Sequence, residues 1–236
     1  MLTLAQVKSR SGSRLTGLHP TVLTATELLI ERCYAEGVPI LITQGLRTVA
    51  EQNALYAQGR TKPGAIVTNA RGGYSYHNYG LAVDFALLLP GGSSASWDMK
   101  RDGDGDGTSD WQEVARQAKE LGFEWGGDWS SFKDYPHLQM SFGLTISELR
   151  GGAKPVGAAV EAVQRLLQKK EATALNKDIS ATVNVNGVRI ADGFIDKGVT
   201  YVPVRAVAEA LGMTVGYDQT SRTVTIASAV KEVNGQ

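Results

Sequence analysis

The run Leu81-Ala82-Val83-Asp84-Phe85-Ala86-Leu87-Leu88-Leu89 constrains the fold more than any other segment of the chain. It is the strongest strand signal in the first half, and a carboxylate stands inside it. An ionised side chain within an apolar strand is costly unless it is paired with an opposite charge or bound to a cation. Wherever this strand sits, a cationic partner for Asp84 has to be found nearby.

The flanking segments are mixed in type. Residues 20–36 read as an amphipathic helix, and Val38 to Gly45 as a short buried strand. Residues 48–59 read as a helix with a threonine cap and a glycine stop, and residues 110–121 as a further helix ending at Gly122. HLQMSF (137–142) reads as a closing strand. Helices and strands do not alternate regularly, so the pattern predicts an α+β fold with a central antiparallel sheet. The composition changes at RGGAKPVG (150–157), and residues 158–175 have the periodicity of a spacer helix. Beyond it, ATVNVNGVRI alternates as a half-buried strand does. TYVPVRAVAEALG supplies a strand running into a helix, and MTVGYDQTSRTVTI a hairpin turning at Asp218 to Ser221. The predicted organisation is a catalytic domain at 1–149, a linker helix at 150–176 and a second small α+β domain at 177–230.

The chain of 236 residues carries 24 Lys+Arg and 24 Asp+Glu, so no polyanion-binding surface is indicated and nucleic acid is not an expected partner. No window approaches the roughly 18 consecutive apolar residues of a membrane span. The segment MLTLAQVKSRSGSRL is polar and basic where an export signal is apolar; the expectation is synthesis in the cytoplasm without such a signal. The single cysteine, Cys33, lies among Leu28, Leu29, Ile30 and Tyr34 at helical spacing and reads as a core residue, not a nucleophile. A monomer is expected.

Two of the three histidines sit in distinctive contexts. His77 precedes a glycine turn and the strand that bears Asp84. His137 follows Asp134 by three residues, with Pro136 holding Tyr135 extended. Either histidine alone is well explained by ordinary hydrogen bonds. Taken together with Asp84, two imidazoles and one carboxylate with an open fourth position form a catalytic rather than a structural zinc set. Asp134 is then suited to act as general base on the metal-bound water.

SYHNYGLAVDF (75–85), WGGDW (125–129) and FKDYPH (132–137) resemble the signature of the LAS zinc metallopeptidases, which include D-alanyl-D-alanine carboxypeptidases and L-alanyl-D-glutamate endopeptidases. Residues 47–70 are most similar to the endopeptidase type found as phage endolysins of Gram-positive hosts. The resemblance covers about residues 20–142. It implies that His77, Asp84 and His137 bind zinc, that Asp134 is the base, and that Arg47, Gln52 and Ser75 line the substrate site. Arg47 would steady an oxyanion or a substrate carboxylate. It further implies hydrolysis of the peptide part of bacterial peptidoglycan at the L-alanyl-D-glutamate bond. The competing readings are a D-alanyl-D-alanine carboxypeptidase and a non-catalytic wall-binding protein with a structural metal. The C-terminal segment resembles the stalk-type domain named after the N-terminus of copper amine oxidases, with wall attachment its implied role. It holds no histidine or cysteine for copper.

A third motif lies between the two zinc motifs. Residues 102–113 fit the twelve-position EF-hand calcium loop, with Asp102, Asp104, Asp106, Asp110 and Glu113 at positions 1, 3, 5, 9 and 12. Gly107 takes the sharp-turn position and Thr108 would offer its carbonyl. Ser109 stands where an apolar residue is usual, and no clear helix enters the loop. The alternative is a solvated acidic loop.

Overall fold

The computed structural model describes residues 2–174, 179–196, 199–218 and 223–228. These fall into two compact units, Met1–Lys170 and Glu171–Gln236.

The first unit begins with α1 (Leu4–Ser11), closed by a reciprocal cap between Thr3 and Gln6, and α2 (Pro20–Ala35). Proline at the first position of α2 forfeits no helical hydrogen bond, and His19 Nδ1 accepts from the Thr21 amide at 3.3 Å. Val22, Ala25, Thr26, Leu29, Ile30 and Cys33 recur at helical spacing on its buried face. Cys33 is 1% exposed, and burial pushes its thiol well above the ordinary range, so it packs as a small hydrophobe.

Next come β1 (Ile40–Gln44), α3 (Val49–Ala57), β2 (Ala82–Leu88), β3 (Ala95–Ser96), α4 (Asp110–Glu120), β4 (Glu124–Trp125) and β5 (His137–Gln139). The sheet runs in the order β1-β2-β5-β4, every pairing antiparallel, with β3 on the far end of β2. α2 packs on β1 and beside α4, and α4 contributes Trp111, Val114, Ala115 and Ala118 to the core. β2 is the central strand. Its Val83, Phe85 and Leu87 are at most 1% exposed, whereas Asp84 reaches the edge of the core. The β1–β2 register shifts between Ile42 and Gln44, opposite Asp84, which opens the sheet where that carboxylate sits.

α5 (Ile146–Arg150) and α6 (Ala158–Ala174) follow. α6 is not the free spacer expected from residues 150–176. Up to Lys170 it belongs to the first unit: Leu167 is 3% exposed, Val163 packs against the core, and Gln164 donates to Thr21 Oγ1 at 3.4 Å. The closing strand is also shorter than the 137–142 expected. Phe142 and Gly143 both adopt positive φ, at 50° and 78°, and turn the chain out of the sheet.

The second unit contains β6 (Ile179–Val185), β7 (Val188–Asp196), β8 (Val199–Tyr201), α7 (Val204–Ala210), β9 (Met213–Asp218) and β10 (Thr223–Ser228). ATVNVNGVRI is a hairpin and not one strand. Asn186 and Gly187, at φ 51° and 81°, form the two-residue turn that this dipeptide favours. The β9–β10 hairpin pairs in register as expected; of its expected turn, Asp218 closes β9, and residues 219–221 lie outside the described residues.

Candidate metal centre and cleft

Three side chains converge at the junction of β2, β5 and the turn before β2. Asp84 and His137 are direct cross-strand partners in the antiparallel β2–β5 pair. His77 stands on a short 3₁₀ turn, Tyr76–Tyr79, whose first amide groups are capped by Ser75 and Asn78. Gly80 ends that turn in the left-handed conformation at φ 67°. A Cβ there would lie 2.5 Å from the Gly17 carbonyl oxygen, so only glycine can bring His77 back over Asp84.

His77 Nε2 lies 3.1 Å from Asp84 Oδ1 and 3.1 Å from His137 Nδ1, and His137 Nδ1 lies 3.2 Å from Asp84 Oδ1. The outer nitrogen of each ring is already committed to an acceptor. His77 Nδ1 donates to the Gly45 carbonyl at 2.8 Å, and His137 Nε2 to Gln139 Oε1 at 3.0 Å. With those tautomers, both inner nitrogens present lone pairs to a carboxylate oxygen and to each other. Three acceptors in mutual contact are unfavourable without a cation among them. The spacing is that of a tetrahedral face: bonds of about 2.0–2.1 Å to a zinc ion give donor separations of roughly 3.3 Å. The residues fit such an ion.

Outer contacts fix the donors. Gln139 passes the hydrogen bond on, its Nε2 donating to Glu124 Oε2 at 2.9 Å, and Ser141 Oγ donates to the other oxygen of Glu124 at 2.6 Å. Arg47 Nη2 holds Asp84 Oδ2 at 3.3 Å, and its Nη1 donates to Gln52 Oε1 at 2.8 Å. Without a cation the conflict is relieved by a proton on an imidazole: burial alone would push the Asp84 carboxyl up, but the imidazoles then hold it well below the usual carboxylate range. His137 is drawn down by its burial and up by the Asp84 carboxylate, with a net rise.

The centre opens into a cleft of about 690 Å³, lined among others by Arg47, Ser75, Trp97, Trp129, Phe132 and Asp134. Asp134 is positioned by its own backbone. Its amide donates to the Gly126 carbonyl at 3.1 Å, and its carbonyl accepts from the His137 amide at 3.2 Å. A Cβ on Gly126 would collide with the Asp134 carbonyl oxygen. Burial, then the nearby Asp84 carboxylate, raise the Asp134 carboxyl above its ordinary value, as a proton acceptor near neutral pH requires.

The sequence-selected residues do not all take the places expected of them. Ser75 lines the cleft, and its hydroxyl caps the His77 amide at 3.4 Å. Gln52 is wholly buried behind Arg47, donating to the Ala70 carbonyl at 2.8 Å, and is not among the cleft-lining residues. It braces Arg47 instead of facing substrate. Arg47 borders the cleft, with one bond each from Nη1 and Nη2 spent on Gln52 and Asp84. Sequence reasoning missed Gln139 and Glu124, and also Trp129, whose ring lies 5.3 Å from that of His137. The signal for Gln139 was its place two residues after His137, on the same strand face.

A point that three side chains can offer to a metal, its free side facing a cleft with a half-buried carboxyl group, is the arrangement of a metallopeptidase. A family profile described as D-alanyl-D-alanine carboxypeptidase matches residues 68–140, and one described as copper amine oxidase N-terminal domain matches residues 166–235. The peptidoglycan L-alanyl-D-glutamate endopeptidase CwlK of Bacillus subtilis is 58% identical over 123 residues, 52% of this chain and 73% of that protein. The L-alanyl-D-glutamate peptidase of Listeria phage A118 is 34% identical over 134 residues, 57% of this chain and 42% of that protein. The crystal structure of the Serratia marcescens L-Ala D-Glu endopeptidase ChiX aligns with a TM-score of 0.41 at 29% identity, covering 57% of this chain and 89% of that one. The chain belongs to the M15 peptidase family, with a copper amine oxidase N-terminal-like domain after the peptidase domain. No described helix is long and apolar enough to cross a membrane.

Proposed function

We propose that this chain is a zinc endopeptidase that cuts the L-alanyl-D-glutamate bond of bacterial peptidoglycan stem peptides, as an endolysin does. The observation that carries the reading is the triangle of lone pairs at 3.1–3.2 Å on His77, Asp84 and His137. Bound zinc would supply an activated water and polarise the scissile carbonyl. Asp134 takes a proton from the attacking water and returns it to the leaving amine, so that it ends the cycle as it began. Arg47 pairs with Asp84 Oδ2 and orients it, and its remaining Nη1 and Nη2 N–H bonds are directed at a substrate oxygen. Trp97 and Phe132, 55% and 50% exposed, flank the cleft as apolar walls for the stem peptide and its attached sugar. The relatives named above support the bond assigned. The C-terminal domain is the attachment module for the wall.

Digestion of purified peptidoglycan, with mass spectrometry of the fragments, tests the reading. The expected product carries a new N-terminal D-glutamyl residue. Release of free D-alanine alone would assign the carboxypeptidase activity of the family description instead. Zinc binding with no product from wall or soluble stem peptide would make the metal structural.

A further inference from the structure

The metal centre leaves the acidic loop between β3 and α4 without a role. No helix enters this loop, as the sequence implied, and it ends in the first turn of α4, where Asp110 and Glu113 lie. Donor oxygens of Asp102, Asp104 and Asp110 lie within 4.8 Å of one another, and so do those of Asp104, Asp106 and Glu113; the two groups share Asp104. An exposed cluster of acids is common without an ion. Glu113 is what distinguishes this one. It is 7% exposed, and its Oε2 is buried with no hydrogen-bond partner. Leaving a carboxylate oxygen buried and unpaired costs more than almost any other polar defect, and an oxygen of this same carboxyl group lies within 4.8 Å of those of Asp104 and Asp106.

The surrounding charges do not neutralise it. Burial, then Asp104, Asp106, Asp110 and Glu36, push the Glu113 carboxyl up to about 7. The nearby cations are engaged elsewhere: Arg116 pairs with Glu36 at 3.0 Å and Arg101 with Asp110 at 3.2 Å. A divalent cation among these oxygens would pair with the Glu113 carboxylate and remove the repulsion together.

We infer that residues 102–113 bind one calcium ion, held by the carboxylates of Asp102, Asp104, Asp106 and Glu113 and the carbonyl of Thr108. Asp110 stands at position 9, which in such loops often reaches the ion through water, and it accepts from the Gly103 amide at 2.7 Å and from Arg101. An all-oxygen set on a loop with glycines at 103, 105 and 107 suits calcium, which tolerates irregular coordination; magnesium demands a near-ideal octahedron. Without an entering helix only local bonds, such as Gly105 and Gly107 amides to Asp102, brace the loop, which places the expected affinity in the roughly 10⁻⁴–10⁻³ M range of extracellular modules. Trp111, at the start of α4, lies 6.4 Å ring to ring from the cleft-flanking Trp97.

Calcium chloride titrated into the zinc-loaded full chain, followed by calorimetry, tryptophan fluorescence and thermal melting, tests this. The expected result is one calcium per chain. At about a hundredfold excess over Kd the thermal midpoint should rise by roughly 5–10 °C, with a much smaller rise in magnesium. Asp104→Asn with Asp106→Asn, and separately the isosteric Glu113→Gln, should each weaken calcium at least about tenfold and leave zinc content unchanged. No heat and no midpoint shift at about 10 mM calcium would overturn the proposal. So would wild-type calcium affinity in Glu113→Gln, the variant least able to disturb folding.

Discussion

Replacing Glu113 with glutamine should stabilise the protein at alkaline pH when calcium is withheld. The folded-state value of Glu113 lies at about 7, against an ordinary 4.5. A carboxyl raised in this way binds its proton more tightly folded than unfolded. Its stabilising effect is present below pH 4.5 and is lost as pH rises to 7. At about 1.4 kcal/mol per pH unit, the interval from 4.5 to 7 corresponds to about 3.4 kcal/mol. Asp104 and Asp106 are solvent-exposed, so screening brings the expected figure to about 2–3 kcal/mol. Glutamine keeps the shape and cannot ionise. Glu113→Gln should match wild type near pH 4.5 and exceed it by that amount at pH 8. Saturating calcium should reverse the order, because only the glutamate binds the ion. Denaturant melts in calcium-free, zinc-supplemented buffer measure the difference. Tryptophan emission follows the first unit alone, since all four tryptophans lie within it. A variant no more stable than wild type at pH 8 without calcium would refute the account of a buried, repelled carboxylate.

Asp134→Asn should retain zinc by metal analysis and lose roughly 10²–10⁴-fold in turnover; loss of the metal would make Asp134 a ligand. Gln139→Leu, which frees the outer nitrogen of His137, should weaken zinc roughly 10–100-fold in chelator competition. Unchanged affinity would show that Gln139 does not orient the ring. A chain ending at Lys170 should melt as the first unit does in the full chain. One ending at Arg150 loses the buried Leu167 and should be less stable by roughly 1.5–3 kcal/mol; equal melts would show that α6 is a spacer after all. Exhaustive chelation should abolish cleavage, and zinc alone should restore it.

The candidate metal centre was legible mainly through Asp84, with His137 read in combination with it. Asp84 is a charge inside an apolar strand, and His137 stands three residues after an acid with a proline between them. Gln139 and Glu124 break no local rule, and their partnership arises from the β4–β5 register, which no local pattern encodes. Gln52 was assigned to the substrate site by the resemblance alone; in the fold it lies behind Arg47, at a depth set by how residues 68–70 pass over it. The boundary at 150–157 was read from a real change in composition. α6 nevertheless packs back onto the first unit, because its apolar stripe is long enough to cover part of that core. In the second domain, alternation across Asn186-Gly187 concealed a hairpin that the dipeptide itself announces.

The pairing of Asp84 with His137 across β2 and β5 also bears on how the chain is made. These two residues are 53 positions apart, and His77 and His137 are 60 apart. Contacts of such separation close late, after helices and neighbouring turns have formed. During synthesis no ribosome-bound fragment short of β5 holds all three donors. A metal held by these three donors would not template this domain as zinc does a small finger; it would be captured once the sheet has closed. A metallopeptidase built in this order would stay inert as a nascent chain until its β5 strand has docked.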